Sequence, residues 1–347
     1  MGKSTLFNAL TKASVLAANY PFATIEPNVG IVAVPDKRLD ELAKLFNATR
    51  IVPASIRFVD IAGLVAGASK GEGLGNQFLS HIRNVSVIIE VVRDFTDAQV
   101  THVNQSIDAR RDIATITTEL ALSDLETLNR RSSKLDKEVK ANPKLKPLND
   151  LVHKAASILD ESKPLYHQLD EEELEALSDL GLLTAKPVIY AFNVDEADLI
   201  NRTKLDSLST LVSPAPSMFV CAKLESEFSA LEDYDADELR ESYGVKESGL
   251  EALVTLSFKT LGLQTFLTAG EKEVRAWTIK AGSNTRVAAG AIHSDMERGF
   301  IAADIVNYSD LITLGSWSAA RSVGKVRTEG KDYIMQNDDV VEFKFNV

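Results

Sequence analysis

The chain has 347 residues, of which 45% are hydrophobic and 25% charged, and a formal net charge of −12. That length suits two or three domains, no apolar run approaches the roughly 18 residues that span a bilayer, and a single cysteine, Cys221, rules out an internal disulfide framework. The acidic balance argues against general binding to bare nucleic acid, because phosphate contacts need clustered Lys and Arg, so neither DNA nor a membrane is expected as a partner.

The first residues, Met1-Gly2-Lys3-Ser4-Thr5, read as the end of a phosphate-binding loop of pattern G-x-x-x-x-G-K-[ST]. Glycine lets the backbone curl so that its N–H groups point at a phosphate. Lys3 reaches the β- and γ-phosphates, and the Ser4 hydroxyl ligates Mg²⁺. The helix that follows adds its N-terminal partial positive charge, and Leu6, Phe7, Leu10 and Ala13 give it an apolar face. The sequence enters the motif part-way: Met1 stands in the last spacer position, and neither the first glycine nor the preceding strand is present. No leader is expected ahead of a helix that opens Gly2-Lys3-Ser4, and one lone thiol suits the cytoplasm.

Asn19 to Pro27 reads as an exposed loop carrying Thr24, a candidate second Mg²⁺ ligand that alone would pass for a surface threonine. Val29–Val34 reads as a strand and Asp36–Phe46 as a short helix. The strand Ser55–Val59 runs into Asp60-Ile61-Ala62-Gly63, a D-x-x-G motif 57 positions after Lys3. A carboxylate there can hold Mg²⁺ through water, and the Gly63 N–H can sense a γ-phosphate. The glycine-rich run Leu64–Asn76 reads as a nucleotide-sensing switch. Val87–Val92 has the look of a covered parallel strand, and the polar stretch after it contains His102. From Ile113, apolar residues recur at spacings of three and four until Pro143 and Pro147, then resume to Pro164, which predicts an antiparallel helical hairpin. Asp170 and Glu173 predict a capping box on a helix Asp170–Leu180, closed by Gly181.

The buried strand Pro187–Phe192 leads into Asn193-Val194-Asp195-Glu196. Ras-like GTPases carry N-K-x-D at this place, where the aspartate accepts two hydrogen bonds from guanine. Val194 replaces the lysine and Glu196 takes the aspartate's position, which weakens guanine selection. Substituting Glu196→Asp with Val194→Lys is therefore expected to move preference toward GTP. Met218–Lys223 reads as the last strand of the sheet, with Cys221 and Ala222 in a short base-side loop. Helices near Asp235–Tyr243 and Leu250–Leu261 close the unit. Beyond Gln264 the expected elements are strands Val274–Ile279 and Ile301–Val306, a helix near Ala288–Met296, and a hairpin Lys331–Val347 turning at Asn337-Asp338. Arg321, Lys325, Arg327 and Lys331 form either a solvated face or a contact with RNA phosphates.

Gly2–Ala13, Tyr20–Asn28, Phe58–Gly75, Thr118–Leu122, Asn193–Glu196 and Phe266–Gly270 together resemble the Obg-like ATPase (YchF) family, and Thr278–Val347 resembles that family's TGS domain. The resemblance implies an α/β fold: a Ras-like P-loop NTPase domain (1–110 and 183–263), interrupted by a helical coiled-coil arm (111–182) and followed by a small α+β TGS domain (264–347). It implies slow, Mg²⁺-dependent hydrolysis of ATP in preference to GTP, and association with the ribosome or ribosomal RNA through the arm and TGS domain. Gly2, Lys3, Ser4, Thr5, Gly63, Asn193, Val194, Glu196, Cys221 and Ala222 would then hold the nucleotide, and Ser4, Thr24 and Asp60 the metal. Leu64 stands where a glutamine usually positions water, and leucine cannot do that. The family instead looks to a histidine on a mobile loop, which matches His102, with Lys3 as the other catalytic group. K⁺ is implied as an activating cation, although the asparagine that would bind it belongs to the part of the loop not in this sequence. The alternative, resting on the shortened phosphate loop, is a non-hydrolysing ribosome- or protein-binding module.

Overall fold

A computed structural model describes residues 2–15, 28–61, 74–96, 107–231, 233–245 and 247–346. Thr24, Gly63, Leu64 and His102 lie outside the described residues. Contacts divide the chain into two compact units, one of Met1–Lys12, Ile25–Val29 and Val59–Leu250, the other of Ala13–Thr24, Gly30–Phe58 and Glu251–Val347.

In chain order, helix α1 (Lys3–Val15) is followed by β1 (Val29–Ala33), α2 (Arg38–Phe46), β2 (Ile51–Val52) and β3 (Ser55–Val59). Next come α3 (Leu74–Arg83), β4 (Ile88–Asp94), α4 (Ala109–Ala141), α5 (Lys146–Asp160) and α6 (Glu171–Ala176). Strand β5 (Val188–Val194) precedes α7 (Arg202–Val212), β6 (Ser217–Val220), α8 (Ala222–Phe228), α9 (Asp233–Ser242) and α10 (Gly249–Thr260). The remainder is β7 (Leu263–Ala269), β8 (Val274–Lys280), α11 (Thr285–Ile292), α12 (Ser294–Arg298), β9 (Phe300–Asn307), α13 (Tyr308–Leu314), α14 (Trp317–Ser322), β10 (Arg327–Glu329) and β11 (Asp339–Phe345).

The first unit is built on a parallel sheet of order β4-β5-β6. Its middle strand β5 is an uninterrupted apolar run apart from Asn193, and Ile189 through Val194 are all buried, as a strand covered on both faces requires. The sequence expectation that the last strand extends to Lys223 does not hold. Strand β6 stops at Val220, and Ala222 and Lys223 form the first turn of α8.

The hairpin is present and longer than its apolar spacing suggested. Helix α4 has 33 residues, about 50 Å at 1.5 Å per residue. Leu128 and Leu135, two turns apart, share a core with Val152, Ala155 and Leu159 of α5. Leu122 lies off that seam and is exposed. The capping box forms as its spacing predicts: Asp170 Oδ1 accepts the Glu173 N–H at 2.8 Å, and Glu173 Oε2 accepts the Asp170 N–H at 3.3 Å. The α-helix it starts is shorter than expected, ending at Ala176. A 3-10 turn, Ser178–Leu180, then leads to Gly181 in the left-handed region at φ 58°.

The second unit holds a mixed sheet of order β10-β9-β11-β7-β8-β2. The predicted hairpin Lys331–Val347 is not there. Strand β11 instead pairs antiparallel with β9 and parallel with β7, while Ile334 makes only an isolated bridge to Asn284. The alternation Val341, Phe343, Phe345 marked a strand but not its partner. Strand β2 adds in parallel to the edge of β8, so an early segment completes the C-terminal sheet. Arg38 fastens that segment: its guanidinium donates to Asp36 at 2.7 Å, to Asp338 at 2.9 Å and to Thr265 at 3.0 Å. The basic cluster is largely neutralised within the fold. Arg321 meets Asp304 at 3.0 Å, Lys325 meets Asp310 at 3.2 Å, and Arg327 lies 3.6 Å from Asp339. No described helix is long and apolar enough to cross a membrane.

Glu90 of β4 lies in the sheet opposite Tyr190, buried, with Oε1 lacking a hydrogen-bond partner. Burial first, and the charge of Asp112 second, push its carboxyl up from 4.5 to about 8. Between those two values the folded chain keeps a proton that the unfolded chain has lost, so stability falls as pH rises through that window and is level above it. Glu90→Gln is therefore expected to stabilise the chain by on the order of a few kcal/mol at about pH 9, since one unit corresponds to roughly 1.4 kcal/mol. The gain should shrink toward about pH 4.5, measured by urea unfolding across that range; a pH-independent difference would show that Glu90 is not the titrating group.

Candidate functional site

The site begins at Gly2. Its φ of +89° is in the region that favours glycine, and a Cβ there would stand 2.3 Å from Asn193 Nδ2 and 3.2 Å from Ala222 Cβ. Asn193 is itself buried, and its Oδ1 accepts the Ala222 N–H at 2.9 Å. Three segments that are far apart in sequence thus converge on one side-chain amide. The Gly2 carbonyl also accepts the Leu6 N–H at 2.8 Å, which starts α1. That helix buries Leu6, Ala9 and Leu10, with Phe7 only half-buried, and so fixes the direction in which Lys3 and Ser4 point.

Lys3 and Ser4 both reach Asp60, the first residue after β3. Lys3 Nζ lies 2.7 Å from Asp60 Oδ1 and also donates to the Ile61 carbonyl, and Ser4 Oγ donates to Asp60 Oδ2 at 3.4 Å. Asp60 is held from behind, where its N–H donates to the carbonyl of Asn28 at 2.8 Å. Asn28 sits at φ 64°, a left-handed conformation that asparagine tolerates. Ser4 Oγ and Asp60 Oδ2 are hard oxygen donors close enough to share one cation, and Asp60 Oδ1 is buried without a directed hydrogen bond. One hydroxyl and one carboxylate fit Mg²⁺, which keeps several waters and takes its other ligands from substrate phosphates. Among the described residues no group of three or more His, Cys, Asp or Glu side chains could hold a metal by itself. Thr5 is exposed on the first turn of α1.

The base-side motif departs from its sequence reading in two ways. Val194 is 1% exposed and packs with Val92, Phe192 and Leu208, so its side chain belongs to the core and only its backbone could meet a ligand. Val194→Lys would bury an ammonium in that cluster, which removes it as a means of changing base preference. The cation missing from the motif comes from elsewhere: Lys223 Nζ lies 2.9 Å from Glu196 Oε1. That pairing raises the Lys223 pKa. The sequence pattern puts Lys223 at the end of a strand, whereas its place in the first turn of α8 is what brings it to Glu196. Cys221 is buried at the N-cap of that helix, and burial pushes its thiol up. Asp195, the motif's variable position, also has a function that sequence did not suggest. Its Oδ2 accepts the Thr96 N–H at 3.1 Å and the Thr96 hydroxyl at 3.0 Å. Thr96 is the last described residue before the stretch that contains His102.

Residues 1–124 match the family described as 50S ribosome-binding GTPase, and residues 263–346 match YchF-GTPase_C, described as a protein of unknown function. The ribosome-binding ATPase YchF of Bacillus subtilis is 46% identical over 354 residues, covering 100% of this chain and 97% of that protein. The chain belongs to the YchF family. Its Escherichia coli O157:H7 relative, also named ribosome-binding ATPase YchF, is 45% identical with the same coverage. Among solved structures, the Schizosaccharomyces pombe YchF GTPase aligns over 99% of this chain and 95% of its own, at 36% identity and a TM-score of 0.88. A Pyrococcus horikoshii GTP-binding protein shares the fold at 19% identity and a TM-score of 0.60.

The contact between Gly2 and Asn193 is open to a direct test. Gly2→Ala is expected to destabilise the chain by about 1–3 kcal/mol, the usual cost of a non-glycine residue in such a conformation, plus the displacement of a hydrogen-bonded amide. In an Asn193→Ala background the part due to the 2.3 Å approach to the amide should vanish, while the 3.2 Å approach to Ala222 Cβ remains. Denaturant unfolding of the two single variants and the double variant measures the coupling, and strictly additive losses would separate the two residues.

Proposed function

We propose that this YchF-family chain is a cytoplasmic, ribosome-associated nucleotide switch that binds ATP in preference to GTP and hydrolyses it slowly to ADP and phosphate. The observation that carries the proposal is the meeting of an ammonium, a hydroxyl and a carboxylate at the start of α1, with Asp60 at 2.7 Å from Lys3 and 3.4 Å from Ser4. The names of the relatives supply the ribosome and the ATPase activity. Residues 1–110 with 183–263 would form the nucleotide domain, 111–182 the arm and 264–347 the TGS domain. The arm and TGS domain would face the ribosome or its RNA.

In this reading the backbone from Gly2 to Thr5 and the α1 N-terminus cradle the phosphates, and Lys3 exchanges its carboxylate partner for phosphate oxygens. Ser4 and Asp60 would hold Mg²⁺, with Thr24 and the Gly63 N–H, which lie outside the described residues, on the γ-phosphate side. The cation would neutralise charge on the phosphates. K⁺ as an activating cation rests on the family resemblance alone. Asn193, Cys221 and Ala222 would line the base side, and Glu196 would face the base edge while tied to Lys223. His102 would orient or deprotonate the attacking water. Thr96, the last described residue before the stretch that contains His102, is anchored to Asp195 beside Glu196.

Calorimetry with Mg²⁺·ATP and Mg²⁺·GTP tests the proposal; no binding of either would leave a non-hydrolysing ribosome- or protein-binding module. Lys223→Ala frees Glu196 to accept from guanine N1 and N2, and is expected to raise affinity for GTP relative to ATP by up to about fivefold, the scale of an exposed ion pair. An unchanged ratio would remove Glu196 from the base site. His102→Ala is expected to lower turnover by roughly 10²-fold or more, in the range of general acid–base groups, with ATP affinity little changed. Full turnover by that variant would take histidine out of the reaction.

A further inference from the structure

The root of the arm and the phosphate side of the candidate site share one packed block. Ile61, whose carbonyl accepts the Lys3 ammonium, lies in an apolar cluster with Leu79 and Ile82 of α3, Ile116 and Leu120 of α4, and Leu183. The arm helix is thus one layer of side chains from the residue that follows Asp60. A second, polar layer closes the same junction. Asp124 of α4 is 0% exposed; its Oδ1 accepts the Leu183 N–H at 2.9 Å, and its Oδ2 accepts the Thr184 N–H at 2.8 Å and the Thr184 hydroxyl at 2.7 Å. Arg83, the last residue of α3, donates to Ser123 Oγ at 3.3 Å, and its charge acts on Asp124. Lys186 Nζ then donates to the carbonyls of Arg83 at 3.0 Å and Val85 at 2.6 Å, capping the C-terminal end of α3.

These contacts do more than hold a hairpin upright. A hairpin needs its own seam, and that seam is complete in the separate core around Leu128 and Leu135. Asp124, Arg83 and Lys186 serve a different end. They join α4 to the helix that follows the D-x-x-G motif and to the strap 183–186 that leads into β5. A buried carboxylate with three donors cannot shift without losing all of them at once, so the junction moves as a body or not at all. Helix α4 would magnify any such movement, since it continues from Asp124 to Ala141, about 25 Å, and a rotation of about 5° at the junction displaces its far end by about 2 Å.

We propose that Arg83, Asp124 and Lys186 gear the arm to α3, so that occupancy of the Lys3 site and the position of the arm are thermodynamically linked. The proposal rests on the nucleotide reading above. By reciprocity, whatever binds along the arm must alter nucleotide affinity by the same factor that nucleotide alters its binding.

Hydrogen exchange on the full chain, with and without saturating Mg²⁺·ATP, tests the link, with occupancy measured separately by calorimetry. In the wild type, nucleotide is expected to change exchange at Leu183, at Thr184 and in the first five turns of α4 by roughly fivefold or more, the lower end of common coupling strengths. Asp124→Asn and Arg83→Ala should still bind ATP within about threefold of wild type while losing most of that response, as positioning residues outside the binding site would. Should Asp124→Asn fail to fold, Arg83→Ala decides, because it leaves all three Asp124 hydrogen bonds in place. Bound ATP with no change at the arm root, or a response that survives in both variants, would overturn the gearing alone. Equal slowing in β9 of the second unit would mark general stabilisation by ligand and would also overturn it. Absence of ATP binding would overturn the nucleotide reading and the gearing together.

Discussion

The side-chain amide of Asn193 is the constraint on which the candidate site depends. It belongs to the central strand of a three-stranded parallel sheet, with Arg93 opposite it on β4 and Val220 on β6. The ladder on both sides fixes its backbone, and a buried amide must find its partners within the fold. From there it accepts the N–H of Ala222 and lies against Gly2. The position of α1, and with it the reach of Lys3 and Ser4 toward Asp60, follows from how closely Gly2 can approach that amide. A larger residue at position 2 would push the helix away from the sheet rather than merely crowd a loop.

Features encoded within a few residues were legible in the sequence. The capping box at Asp170 and Glu173, the left-handed Gly181 and the two arm helices each depend on neighbours one or two turns away, and each formed where its spacing placed it. Elements defined by distant partners were not legible. The alternation along Val341–Phe345 marked a strand, but nothing local distinguishes a return to Lys331–Gln336 from pairing with β9 and β7. The contribution of Ile51 and Val52 to the C-terminal sheet is likewise written in no motif. The same limit applies to the site. Lys3, Asp60 and Asn193 were found by pattern and do converge, whereas the Lys223 partner of Glu196 comes from a different loop. Val194 is the instructive case. The motif template marked it as a ligand contact, but the unbroken apolar run from Val188 to Val194, with only Asn193 intervening, already carried the signature of a covered strand.

Charge is distributed with the same economy. The cations Arg321, Lys325 and Arg327, which in sequence resemble a phosphate-binding patch, already face Asp304, Asp310 and Asp339. A polyanion would have to compete with those carboxylates for each of them. Lys3 stands in the same position toward Asp60, with one difference: under the proposed function, a ligand that brought Mg²⁺ would offer Asp60 a new cation as it took Lys3 away. In the proposed reading, a site whose own lysine and aspartate neutralise one another would favour a metal-bound phosphate over a free one, because the metal would compensate the carboxylate that the phosphate leaves behind.

Two buried carboxylates at the root of the arm show how the same burial can serve opposite ends. Asp124 is enclosed completely, yet each oxygen has a donor, and the two backbone N–H groups it satisfies would otherwise be orphans themselves. Replacing it leaves three unpaired partners, so it fixes the geometry between α4 and the strap ahead of β5. Glu90 is enclosed nearly as far, with one oxygen unpartnered and Asp112 acting on it as a second negative charge. Its ionised form opposes the fold that Asp124 secures. Both groups lie where α4 meets the sheet; Asp124 locks the junction, and Glu90 opposes it only where the pH is high enough to ionise it. A buried carboxylate with a donor for each oxygen is kept by its hydrogen bonds, whereas one without them is kept by holding its proton, so the two meet the same cost of burial by different means.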